Sequence, residues 1–157
     1  MPRNMKSINL ALQGGGAHGA FTWGVLDCLL EDGRVDIAGI SGTSAGAMNA
    51  VAVADGITRA GRDGARVALR TFWETMSHAA RFSPVRRTPI DKFMGNWSLD
   101  RSPAYHALDA LTRLASPYQL NPTNMNPLRD ILESSIDFEA VRACDAFELF
   151  VSATNVE

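Results

Sequence analysis

Two short glycine-flanked segments carry most of the chemistry legible in this chain. Gly42-Thr43-Ser44-Ala45-Gly46 fits G-x-S-x-G, and Gly14-Gly15-Gly16-Ala17-His18-Gly19 lies about one βα repeat before it. A serine with glycine two residues away on each side suits a tight strand-to-helix turn, the nucleophile elbow. Side chains at Gly42 and Gly46 would collide there, and their absence removes the collision. Such a turn sets the serine Oγ on a strand tip and at a helix start. Free N–H groups and the helix dipole favour negative charge at that point. The glycine run after Gln13 has a similar logic, because backbone N–H groups without neighbouring Cβ atoms can approach an oxyanion closely. Losing one such donor typically costs about 3 kcal/mol of barrier. A serine nucleophile and an anion cradle are the two halves of an acyl-transfer site.

The flanking residues read as the elements that would hold both segments. Residues 8–13 (INLALQ) predict a short buried strand running into the glycines, and residues 36–41 (DIAGIS) a second one running into the elbow. Residues 20–32 predict a helix capped by Gly33. Its apolar residues fall on two faces, Phe21, Val25, Cys28 and Leu29 on one and Trp23, Leu26 and Leu30 on the other. That pattern predicts a helix buried between layers. Residues 45–54 (AGAMNAVAVA) predict a small-residue helix against a sheet, ended near Gly56. Strand, loop, helix, strand, elbow, helix is an α/β pattern with a parallel sheet.

Composition sets wide bounds. The 157 residues suffice for one domain without an internal boundary, 46% are hydrophobic and 20% charged, and the net charge is −2. That balance offers no case for a nucleic-acid partner. Arg81, Arg86 and Arg87 gather beside Pro84 and Pro89, which reads as a solvated loop more readily than as a headgroup contact. Cys28 and Cys144 make no disulfide framework and no zinc spacing; Cys28 reads as a reduced core thiol. The apolar stretch after Arg3 and Lys6 is too short for a signal peptide and nothing reaches transmembrane length. The expected location is therefore the cytoplasm, with peripheral membrane contact compatible with it.

Further along, Ala65, Ala68, Leu69, Phe72, Trp73 and Met76 fall at helical spacing opposite Arg66, Arg70, Thr71, Glu74 and Thr75, a core-facing stripe. Between Ala80 and Asp100 the apolar Phe93, Met94, Trp97 and Leu99 sit among Pro84, Pro89 and Gly95. They suit a loop pinned to the core, or alternatively a substrate lid or bilayer contact. Helices are expected over 102–115, over 128–135 after Asn126-Pro127, and over 138–143. A strand is expected over 147–153.

With these residues in view, the chain resembles the N-terminal part of a patatin-like phospholipase along its whole length. The glycine loop, the following helix, G-T-S-A-G after the second strand, the Asn126-Pro127-Leu128 helix start and Ser152-Ala153-Thr154-Asn155 all match in order. The resemblance implies a three-layer α/β/α sandwich with a mainly parallel sheet. It also implies cleavage of lipid or fatty-acyl esters by a Ser–Asp dyad, with no metal or organic cofactor. Ser44 would be the nucleophile. Gly14, Gly15 and Gly16 would form the oxyanion hole, supported by Ala17, His18 and Gly19 in the loop and by Gly42, Thr43, Ala45 and Gly46 in the elbow. His18 stands where the family usually has Arg or Lys.

The family's Asp belongs to a D-G-G or D-G-A motif on a later strand end. The one literal match, Asp63-Gly64-Ala65, lies a helix length beyond Ser44, out of reach for a general base. The expectation is that the chain is truncated on its C-terminal side, with the Asp beyond Glu157. An exposed apolar sheet edge would then favour association. The alternative is an inactive or lipid-binding segment that needs its missing half.

Two rivals remain. Gly14, Gly16 and Gly19 also fit the G-x-G-x-x-G dinucleotide fingerprint, which wants an acid at the end of the second strand; Asp36 stands at its beginning. A Ser–His–Asp triad would need His78 or His106, both of which read as helix-surface or structural residues.

Overall fold

Apolar runs of strand length, each followed by glycines, form a parallel sheet. Strand β1 (Lys6–Leu12) pairs with β2 (Val35–Thr43), and β2 with β3 (Glu148–Ser152), all parallel, in the order β1-β2-β3. The structure is a computed structural model and describes residues 5–80 and 126–153. The expectations for the loop at 80–100, the helix at 102–115, His106, the Arg81 cluster and the end of the Ser152–Asn155 motif lie outside those residues. Two units divide the chain, Met1–Met76 with Leu128–Glu157, and Ser77–Pro127. The sheet and both glycine segments belong to the first.

The strand bounds differ from the expected spans by one or two residues: β1 begins and ends earlier, β2 is longer at both ends, and β3 is shorter by one residue at each end. A bulge resets the alternation of β2. Ile8 pairs with Ile37 and Asn9 with Gly39, leaving Ala38 extra. Ile37 and Ile40, three apart, are thereby both buried in the core. β1 is less enclosed than expected, with Ile8, Leu10 and Leu12 half-buried and the alternate residues exposed. Among the described residues β1 and β3 each pair on one side only, and Phe150 and Val151 of β3 are exposed.

Helix α1 (Gly19–Asp32) ends at Gly33, whose left-handed φ of 64° lets its N–H reach the Leu29 carbonyl at 3.3 Å. Its burial corrects the expectation of a helix enclosed on two faces. Leu26 and Leu30 are buried, but Phe21 is 79% exposed and Val25 and Cys28 are exposed too. At 100° per residue, Phe21, Val25 and Cys28 stand opposite Leu26 and Leu30. Cys28 is thus a surface thiol rather than a core one.

Helix α2 (Ala45–Ala80) carries a second correction. It does not end near Gly56; it is interrupted at Ala60 and Gly61, where the backbone leaves helical values, and then continues. Gly56 serves packing instead. A Cβ on it would stand 2.4 Å from the Ala65 Cα, and one on Gly64 would stand 2.2 Å from the Gly56 carbonyl oxygen. The two glycines let the halves of α2 fold onto each other. The second half then buries Ala65, Leu69, Phe72 and Trp73, as its periodicity predicts. Arg66, on the expected polar face, reaches Asp27 of α1 at 2.9 Å and Glu31 at 3.1 Å. That hydrogen bonding raises the guanidinium pKa above its ordinary value.

Helices α3 (Pro127–Ser135) and α4 (Phe138–Arg142) follow. Asp137 caps α4 by accepting the Glu139 and Ala140 N–H groups at 3.0 and 3.3 Å. Ile136 and Phe147 join Leu26, Leu30, Ile40 and Val53 in the core. Among the described residues no helix is long and apolar enough to cross a membrane.

Candidate active site

Strand β2 ends at Thr43 and α2 begins at Ala45, so Ser44 is the whole connection between them. It holds φ at +51°, a left-handed value that costs an L-residue roughly 1–2 kcal/mol. It is also the non-glycine residue with positive φ among those described. The strain is held by close packing on both sides. A Cβ on Gly42 would lie 2.7 Å from the backbone of Gly46 and Ala47. A Cβ on Gly46 would lie 2.1 Å from the Leu12 carbonyl oxygen, at the end of β1. The Ser44 carbonyl accepts the Met48 N–H at 3.1 Å and opens the helix. The side chain of Ser44 is exposed, at the positive end of α2.

The glycine segment lies beside this turn. A Cβ on Gly14 would stand 3.0 Å from the Ser44 Cβ and 3.2 Å from the Thr43 carbonyl oxygen. Gly15 and Gly16 take φ of 146° and 55°, values that favour glycine. A short 3-10 turn (Gly16–His18) then leads into α1. Both the backbone N–H and the Nδ1 of His18 contact the Gly15 carbonyl at 3.1 Å. A carbonyl can only accept, so Nδ1 carries the proton and donates. The Gly16 N–H, anti to that carbonyl in a trans peptide, points the other way. His18 thus makes the kind of bond that fixes a loop, although it is shorter than Arg or Lys. Ala17 is exposed within the 3-10 turn.

The structure therefore brings Gly14, Thr43 and Ser44 together, Gly19 against Ala45, and Gly46 against β1. A cleft of about 260 Å³ opens beside them, lined by Ala11, Leu12, Gln13, Ser41, Gly42, Thr43 and Ser152. It lies at the carboxyl ends of all three strands, where parallel sheets bind ligands.

Other candidates are not brought there. Asp63 is exposed and lies beyond the interruption of α2. The helical stretch from Ala45 to Arg59 alone spans about 22 Å at 1.5 Å per residue. His78 belongs to the other unit, where it is exposed in the last turn of α2. Asp36, the acid a dinucleotide site would use, pairs with Ser7 at the opposite end of β1 from the glycine loop. Among the described residues no group of three His, Cys, Asp or Glu side chains could hold a metal ion.

Two buried polar residues of α2 escape the sequence reasoning, Asp55, which accepts from Arg59 at 2.7 Å, and Asn49. Asn49 is fully buried on the first part of α2. It donates to the Gly19 carbonyl at 3.0 Å and accepts from the Trp73 indole at 2.8 Å. The available signal was an asparagine within an otherwise small and apolar run, AGAMNAVAVA.

Residues 10–154 match a family model described as patatin-like phospholipase. No curated protein and no solved structure matches the chain.

Proposed function

Since the chain belongs to the patatin-like phospholipase family, whose fold is α/β/α and whose domains are typically lipid hydrolases, we propose that Ser44 is the nucleophile of a lipid acyl hydrolase. The observation that carries this reading is the positive φ of Ser44 between β2 and α2, with Gly14 packed against it. That is the backbone expected of a nucleophile elbow, and backbone strain of this kind persists where the surroundings over-determine it.

In the proposed mechanism Oγ of Ser44 attacks the ester carbonyl carbon while a carboxylate takes its proton. The carbonyl π pair moves onto oxygen. N–H groups of Gly14–Gly16 and the start of α2 hold that oxyanion. Collapse breaks the bond to the alcohol or lysolipid, which leaves with the proton. Water then attacks the acyl-enzyme by the same route and releases the fatty acid. The family resemblance implies that this carboxylate is the aspartate of a D-G-G or D-G-A motif on a later strand end. An unperturbed Asp pKa is about 3.9, so the group needs partial desolvation to act near neutrality. The substrates are fatty-acyl esters, reached from the cytoplasm or at a membrane surface. The inactive alternative is a segment that binds acyl lipid without turning it over.

The reading is tested by incubating the full-length protein with 4-nitrophenyl butyrate and with phosphatidylcholine vesicles, and measuring released acid. Release from at least one acyl ester is expected. No release from either, with retained vesicle binding, would favour the lipid-binding alternative.

His18 supplies a second check. His18→Ala is expected to lower kcat about tenfold with KM unchanged, the scale of one hydrogen bond of about 1.4 kcal/mol felt mainly in the transition state. His18→Lys, the side chain more usual in the family, should restore most of the rate. An unchanged kcat in His18→Ala would remove the loop-fixing role.

A further inference from the structure

Asn49 stands five residues after Ser44 on the same helix, 0% exposed, with both ends of its amide engaged. The Trp73 indole N–H can only donate, so the atom facing it is Oδ1. The amide is therefore oriented without ambiguity, and Nδ2 must face the Gly19 carbonyl. Gly19 is the first residue of α1 and the last of the glycine segment. A Cβ on Gly19 would stand 2.7 Å from the Ala45 Cβ and 2.8 Å from Cζ2 of Trp73. The loop exit, the residue after Ser44 and the indole are thus pressed together, and one amide spans them.

We propose that Asn49 is a positioning residue that holds the glycine loop at its working distance from Ser44. This rests on the serine-hydrolase reading given above. The loop's N–H groups act only if they meet the oxyanion within about 0.3 Å of hydrogen-bond distance. Gly15 and Gly16 cannot supply that rigidity themselves, because glycine has the most freedom to move. The hydrogen bond from Asn49 fixes the C-terminal end of the segment. Packing of Gly14 on Ser44 and Thr43 fixes the other. A purely structural Asn49 would satisfy buried polar atoms and contribute to stability alone.

Asn49→Asp separates the two accounts. It keeps the acceptor for Trp73 but turns an oxygen toward the Gly19 carbonyl, repelling the loop. In the full-length protein, the expected result is a fall in kcat of about 100-fold with KM within about threefold, the scale of an ångström-sized misplacement. Amide hydrogen exchange over residues 14–19 should rise in parallel. Leu69→Ala, a buried core truncation on the same helix, is the control. It should lower Tm and leave kcat per folded molecule near that of the parent. If Asn49→Asp does not fold, Asn49→Ser carries the test, since its short hydroxyl can serve Trp73 or Gly19 but cannot span both, and the same loss is expected. A lowered Tm with unchanged kcat per folded molecule would overturn the proposal. If the parent protein shows no Ser44-dependent ester hydrolysis, the hydrolase reading fails. In that case unchanged exchange at 14–19 in the Asn49 variant would overturn the clamp on its own.

Discussion

Gly46→Ala is expected to destabilise the protein by about 3 kcal/mol or more, the upper end of overpacking costs. Helix propensity alone points the other way, because alanine is about 1 kcal/mol better than glycine inside a helix. The contacts decide the sign. The added Cβ would sit 2.1 Å from the Leu12 carbonyl oxygen, 2.6 Å from its carbon and 3.0 Å from the Gln13 oxygen. All three are backbone atoms at the end of β1, with no flexible side chain to swing aside. Relief requires β1 and α2 to separate by about 1 Å, which would also displace the glycine loop that continues from Gln13. Gly24→Ala is the matched control, because nothing lies within 4 Å of its added Cβ on α1. There propensity is unopposed, and a gain of about 0.5–1 kcal/mol is expected. Urea denaturation of the two variants checks both signs. A Gly46→Ala protein with the parental midpoint would show that β1 and α2 are not in contact as described.

Changing Ser44 should separate activity from stability. Ser44→Ala is expected to remove ester hydrolysis by a factor on the order of 10⁴ or more, as for loss of a serine nucleophile in other hydrolases. Ser44→Gly should remove it equally while stabilising the fold, by up to about 1 kcal/mol, because glycine tolerates the +51° φ that costs serine. The pair is informative together. Strain held at a residue with no chemical role has no reason to persist, whereas a nucleophile at a strand tip needs that backbone to project Oγ. Hydrolysis surviving in both variants would place the nucleophile elsewhere.

Much of this arrangement was legible in the residues themselves, for identifiable reasons. Glycines at 42 and 46 leave few backbones other than a tight strand-to-helix turn, so the turn at Ser44 between the end of β2 and the start of α2 is legible in them. The same holds for a first strand running into the glycine loop at 14–19, and for a helix start at Asn126-Pro127. The family match over residues 10–154 agrees with the resemblance drawn from those motifs.

The misreadings share a physical cause. Gly56 reads as a helix end because local propensity disfavours glycine in a helix. Tertiary packing overrode it, since the second half of α2 approaches too closely for any Cβ there. Cys28 reads as core because its neighbours on α1 are apolar. Apolarity does not say which face a helix turns to the sheet, and α1 turns Leu26 and Leu30 inward. Asn49 was passed over because its two partners are 30 and 24 residues away, a relation no local pattern encodes.

The most direct test of the central claim is to treat the full-length protein with a fluorophosphonate probe and locate the adduct by peptide mass spectrometry. The account predicts a single phosphonylated peptide carrying the adduct on Ser44, absent from Ser44→Ala. An adduct on another serine that persists in Ser44→Ala, or no adduct on a protein that hydrolyses esters, would contradict it.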